Sequence, residues 1–228
     1  MTELVRILVV DDDPLVREAY RGFFSRQPGF AVGGEARNGA EGVQAYADLR
    51  PDVVLMDLQM PVVTGIEATR QICRRWPEAC VVAMTTFGTE EYVVAALRAG
   101  AAGYLLKDVS GPALVAALRQ ALSGDMPLSG SVRRQLVSSV VGDRPSTTAA
   151  ADGDPLDLTA REQELLGWLA QGLTNAQIGT RMFVSEGSVK QHLVQIGRKL
   201  GVTSRTGILV RAIQVHAIDP HTLPPVTG

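Results

Sequence analysis

No apolar run in this chain of 228 residues approaches the roughly 18 that a membrane-spanning helix requires. The N-terminus also lacks a basic segment followed by an apolar stretch and a small-residue cleavage site, so a cytoplasmic protein without a secretory leader is expected. Cysteine is scarce. Cys73 and Cys80 lack metal-binding spacing and are expected to pack as small hydrophobes. The three histidines, His192, His216 and His221, offer no convincing ligand set. No phosphate-cradling loop ends in Gly-Lys-Ser/Thr and no GxGxxG follows a strand, which weakens the case for a substrate-processing enzyme. There is no internal repeat.

What remains is an ordinary globular composition, 46% hydrophobic and 20% charged, in a chain long enough for one or two domains. Its net charge of −2 is unevenly spread. Residues 1–125 hold 16 acidic and 12 basic side chains, whereas residues 156–228 hold 5 and 7. A mildly basic back half hints at a polyanion partner for the C-terminal part.

Short apolar runs at 6–10, 30–36, 53–56, 80–84 and 103–106 alternate with amphipathic stretches at 14–27, 39–49, 65–76, 89–99 and 112–123. Proline at 14 suits a first helical turn, prolines at 51 and 77 stop helices, and Gly100 and Gly124 suit helix ends. Alternation of this kind predicts an α/β domain over 1–125, with a parallel sheet covered on both faces. Residues 126–156 follow as a linker, with a short helix at about 130–141 and a Gly/Pro/Ser/Thr-rich stretch from 142. From 157 to 220 the pattern is purely helical. Thr159 with Glu162, and Thr174 with Gln177, form capping-box signatures, while Gly172 and Gly201 mark stops. The tail 221–228 is loose.

Parallel sheets gather function at the carboxyl ends of their strands. Those ends carry Asp11 and Asp12, Asp57, Thr85 and Lys107. In the flavodoxin-like order 2-1-3-4-5 they converge on one cleft. Carboxylates about 4 Å apart repel by roughly 4 kcal/mol at an effective dielectric near 20. Hard oxygen donors that leave room for water suit Mg²⁺, which would relieve that repulsion. A carboxylate beside such a cation can act as a nucleophile toward phosphorus, with the Thr85 hydroxyl and Lys107 ammonium binding phosphoryl oxygens. Asp13 is expected to support the helix start instead of a metal.

The stretches "VVDDDP", "LMDLQMP", "AMTTF" and "GYLLKD" resemble, in order and spacing, the receiver domain of two-component response regulators. That resemblance implies phosphorylation of Asp57 and direct Mg²⁺ ligation by Asp12. Asp11 would act mainly through water, and the backbone carbonyl of Gln59 would complete the protein ligands. Thr85 and Tyr104 match the family's switch pair; on phosphorylation the hydroxyl moves toward the phosphoryl group and the aromatic turns inward. Thr64 and Asp108 depart from the commonest residues at their places, and Phe87 is expected to shield the acyl phosphate. A dehalogenase-like phosphotransferase would carry a second aspartate where Gln59 stands.

In the back half, Val189, Leu193, Ile196 and Leu200 fall on one face of a helix over 188–200, with Lys190, Gln191, Val194 and Arg198 on the other. A short helix before it, joined through "FVSEG", makes a helix-turn-helix. The wording "LTAREQELL…AQGLTNAQIGTRMFVSEGSVKQHLVQIGRKLGV" resembles the LuxR-type helix-turn-helix, and the whole chain a NarL/FixJ-type response regulator. By that resemblance Asn175 lies among the DNA contacts, and the amides near Ser188 and Val189 meet phosphate. Lys190 would reach guanine edges or phosphate, Gln191 and Val194 face the bases, and Arg198 and Lys199 are candidate phosphate contacts. A last helix at about 204–217 would expose Ile208, Val210, Ala212 and Ile213 for dimerisation. The implied partners are promoter DNA, a sensor histidine kinase, a second copy when phosphorylated, and RNA polymerase. The reading kept beside this one is a phosphorylation-independent DNA binder or protein-interaction module with a vestigial front cleft.

Overall fold

The computed structural model describes residues 4–86, 90–125, 158–202, 205–215 and 217–218. The expected helix at 130–141, the linker and tail, Phe87, His216 and His221 lie outside the described residues. Ten elements alternate through the front half: β1 (Val5–Val10), α1 (Pro14–Phe24), β2 (Phe30–Ala36), α2 (Gly39–Leu49), β3 (Val53–Asp57), α3 (Gly65–Arg75), β4 (Val81–Thr85), α4 (Glu90–Arg98), β5 (Gly103–Leu106) and α5 (Gly111–Leu122). All sheet pairs are parallel and the order is β2-β1-β3-β4-β5, as the sequence predicts.

Side chains alternate across each strand, so one run of residues feeds two cores. Ile7, Val9, Leu55, Val82 and Met84 face α1 and α5, where Phe24, Leu114 and Leu118 meet them. Leu8, Val10, Val54 and Met56 face the other side, with Tyr46 and Ile72 of α2 and α3. The central strand β3 is buried at all five positions, which is why it reads as an unbroken apolar run.

Helix starts follow local chemistry. The Asp13 carboxylate accepts from the Leu15 amide at 2.8 Å and caps α1, the role expected of it. Thr64 caps α3 through the Glu67 amide at 3.3 Å. Gly65 opens that helix against the site strand: a Cβ there would lie 1.8 Å from the carbonyl oxygen of Asp57. The two cysteines are partly buried, and burial pushes both thiols up to about 12, leaving them inert as nucleophiles.

Among the described residues of the back half are four helices: α6 (Ala160–Ala170), α7 (Asn175–Met182), α8 (Glu186–Leu200) and α9 (Arg205–Gln214). Both expected capping boxes form, Thr159 with Glu162 and Thr174 with Gln177. The α7–α8 turn is tight because Phe183 adopts φ 56° and the Val184 amide returns to the Gly179 carbonyl at 2.9 Å. A Cβ on Gly179 would meet the Val184 carbonyl at 2.7 Å, so only glycine lets the turn close. Val189, Leu193, Ile196 and Leu200 are buried, as their spacing predicts. Among the described residues, no helix is long and apolar enough to cross a membrane.

The α9 helix packs against α8 and α6, and also against α4 of the front domain. Ile208, Val210, Ala212 and Ile213, expected on an exposed face, are all buried. They belong to one apolar cluster that joins α4 residues Val93, Ala96 and Leu97 to the helical domain. The four residues span two sides of a short helix, and each side has a partner.

Gly65→Ala should destabilise the front domain by about 3 kcal/mol, since the new methyl overlaps a backbone oxygen that cannot move without shifting β3. Denaturant unfolding monitored by circular dichroism measures this directly.

Candidate functional site: an acidic strand-end pocket and a helix-turn-helix

Register builds the pocket. Val10 pairs with Met56, so the next residues, Asp11 and Asp57, leave β1 and β3 side by side. Thr85 pairs with Leu106 across β4 and β5, and the Lys107 amide donates to the Thr85 carbonyl at 2.7 Å. Lys107 then lies one residue beyond the sheet, over the same cleft. Its Nζ sits 2.7 Å from Asp11 Oδ2 and 3.1 Å from Asp57 Oδ2. Asp11, Asp57 and Thr85 are buried, whereas Asp12 is exposed.

Burial pushes the Asp57 carboxyl above its ordinary range and the Asp11 charge adds to this, against the pull of Lys107. For Lys107, burial acts to lower the pKa, but the bonds to Asp11 and Asp57 prevail and raise it. The ammonium stays charged and offsets much of the carboxylate repulsion. Asp11, Asp12 and Asp57 each offer one oxygen within 4.8 Å of the others. Three hard oxygen donors with one open, exposed member fit a hydrated divalent cation such as Mg²⁺. The Gln59 amide donates to Asp57 Oδ1 at 3.3 Å, which holds that loop close to the cluster.

Thr85 ends β4 directly above Ala83, which pairs with Tyr104. The Tyr104 ring is fully buried, with its hydroxyl on the Thr85 side, and burial pushes the phenol up to about 12. The physical reason is cover, since Tyr104 shares its apolar cluster with α4 and the helical domain.

Two neighbours escaped the sequence reading. Arg17 on α1 donates to the Asp11 carbonyl at 2.6 Å and pairs with Glu35 at 3.5 Å, pinning the acidic turn to β2. Tyr20, one turn further, feels Asp11 and Asp57, and burial together with those charges pushes it up to about 12. The available signal was spacing alone: Arg17 follows the capping Asp13 by one helical turn.

The second site is α8. Lys190, Gln191, Val194 and Arg198 are exposed on one side, Val194 by 55%, and Lys190 pairs with Glu186 at 3.0 Å. Other expected contacts are placed differently. Val189 is fully buried, and its amide is already bonded to the Ser185 carbonyl at 3.1 Å. The Ser188 amide goes to the capping Ser185 hydroxyl at 3.1 Å, so neither amide awaits a phosphate. The cause is the Ser185 cap, whose hydroxyl and carbonyl take the two amides. Lys199 is tied to the buried Glu162 at 2.8 Å, and the bonds from Lys199 and Thr159 hold that carboxyl below its usual range despite burial. The Asn175 side chain is buried and accepts from Arg205.

Between the domains lies a crevice of about 290 Å³. Lys190 and Val194 line it from one side, and Pro77, Cys80 and Asp125 from the other. In this arrangement part of the exposed face of α8 looks onto the front domain.

Comparison with known proteins accords with this layout. Residues 7–119 match the family described as response regulator receiver domain, and residues 156–212 match bacterial regulatory proteins of the luxR family. The chain is 37% identical to the transcriptional regulatory protein LiaR of Bacillus subtilis, over 95% of this chain and 100% of that one. It is 36% identical to the nitrate/nitrite response regulator protein NarL of Escherichia coli, over 94% and 96%. Among solved structures it resembles the response regulator ChrA of a heme-sensing two-component system. The TM-score there is 0.51 at 35% identity, covering 96% of this chain and 100% of that one. The chain belongs to the response regulators, with a receiver domain joined to a LuxR-type DNA-binding domain in a phosphorylation-regulated transcription regulator.

Proposed function

We propose that a sensor histidine kinase phosphorylates Asp57, and that the phosphorylated chain dimerises on promoter DNA. The observation that carries this reading is the Lys107 ammonium held between the buried carboxylates of Asp11 and Asp57. An Asp57 carboxylate oxygen attacks the phosphorus of a phosphohistidine, the new O–P bond forms, and the P–N bond breaks with the imidazole as leaving group. Lys107, already within bonding range of Asp57, donates to a phosphoryl oxygen, and the Thr85 hydroxyl is the second donor. Asp11, Asp12 and Asp57, with the backbone carbonyl of Gln59, would hold Mg²⁺. When bound, the cation supplies charge neutralisation for the incoming phosphoryl group. The chain turns over no external substrate and works in the cytoplasm.

Control of DNA binding runs through α4. That helix covers Tyr104 and rests against α9, so rearrangement around Thr85 loosens the contact that buries Ile208, Val210, Ala212 and Ile213. Dimerisation through α9 requires α4 to part from it. The completeness of the pocket supports a working switch over a vestigial one.

A small phosphodonor with Mg²⁺ should label the wild-type chain and leave Asp57→Asn unlabelled in a phosphate-retention gel. Lys107→Ala should slow labelling on the order of 10²-fold, the usual effect of removing one oxyanion donor. Lys190→Ala should weaken duplex DNA binding by about 1–3 kcal/mol if it reads a base. If it meets a phosphate, it should instead lower the salt slope by about one, and anisotropy titrations across salt separate the two.

A further inference from the structure

Asp125 follows α5 on the receiver side, yet its carboxylate sits on the helix-turn-helix. Its Oδ1 accepts from the backbone amide of Asn175 at 2.9 Å, the amide that opens α7. The guanidinium of Arg205 lies at the same place. It donates to the Asn175 side-chain oxygen and, at 2.5 Å, to the Leu173 carbonyl. Its Nε is buried without a partner among the described residues. Burial pulls Arg205 down to about 10, and the Asp125 charge opposes that shift.

A helix-opening amide beside a half-buried guanidinium makes a seat for an anion, and a carboxylate from the other domain already sits on the amide. The seat lines the same crevice as Lys190 and Val194. In a helix-turn-helix the first helix crosses the DNA backbone while the second enters the groove, which brings phosphates to the start of α7. We propose that the Asn175 amide and Arg205 form a DNA-phosphate site, and that Asp125 occupies it in the closed chain as an intramolecular stand-in for phosphate. The closed chain and DNA then compete for the Asn175 amide, with Arg205 beside it. This rests on the reading of the chain as a phosphorylation-controlled DNA binder and names the group that keeps DNA off.

The test uses the full chain, a labelled mixed-sequence duplex at fixed salt, and anisotropy before and after treatment with a small phosphodonor and Mg²⁺. Unphosphorylated Asp125→Ala should bind about tenfold more tightly than wild type. The phosphorylated forms should bind alike, because Asp125 has already left the seat. Glu18→Gln, which removes one exposed acid far from the crevice, controls for net charge. Amide exchange at Asn175 should quicken in free Asp125→Ala and slow again with duplex. Unchanged affinity, a gain no larger than that of Glu18→Gln, or an Asn175 amide that duplex leaves unprotected would each overturn the proposal. Wild-type chain that binds duplex in neither state would remove the DNA-binding reading as well. Phosphorylation-dependent wild-type binding with an unresponsive Asp125→Ala removes only the seat.

Discussion

Everything at the front of this protein turns on one ammonium placed between two buried carboxylates. Asp11 and Asp57 leave neighbouring strands in register, and no rotation of their side chains could separate them far. At an effective dielectric near 20 their repulsion is worth roughly 4 kcal/mol, enough to matter in a domain whose total stability is about 5–15 kcal/mol. Lys107 reaches both from the far end of β5 and removes much of that cost. The arrangement leaves Asp57 as a buried, partly neutralised carboxylate beside an exposed Asp12. Such a pocket favours a cation and a dianionic phosphoryl group over empty solvent.

From the pocket outward, contact is continuous. Thr85 ends β4, Tyr104 lies two pairs below it, α4 covers Tyr104, and α9 rests on α4. Each link is packing of buried side chains, which responds to displacement by switching between arrangements instead of bending smoothly. The polar link at the domain boundary is different in kind. Asp125 spans from α5 to the start of α7 through one carboxylate–amide hydrogen bond. An apolar lock and an ionic one thus hold the same two domains together.

The sequence made the sheet legible because a parallel sheet exposes its chemistry only at strand ends, and a strand end can be read from the apolar run before it. Asp11, Asp57, Thr85 and Lys107 were all visible this way. Asp13 was legible as a cap because capping is local. The errors share a cause, dependence on partners far along the chain. Lys199 meets Glu162 and α9 meets α4, neither of which leaves a periodic trace. Ile208, Val210, Ala212 and Ile213 looked exposed because one short helix cannot bury two sides against its own small domain. A second domain covers the other side. The Ser188 and Val189 amides are taken by the Ser185 cap, which leaves neither for a phosphate.

The central claim is that chemistry at Asp57 decides whether α4 holds α9. Hydrogen–deuterium exchange across α4 and α9, compared before and after phosphorylation of the intact chain, tests it most directly. Release should raise exchange in both helices together while β1 and β3 stay protected. Equal exchange in the two states, with Asp57 fully phosphorylated, would contradict the coupling of the pocket to the DNA-binding domain.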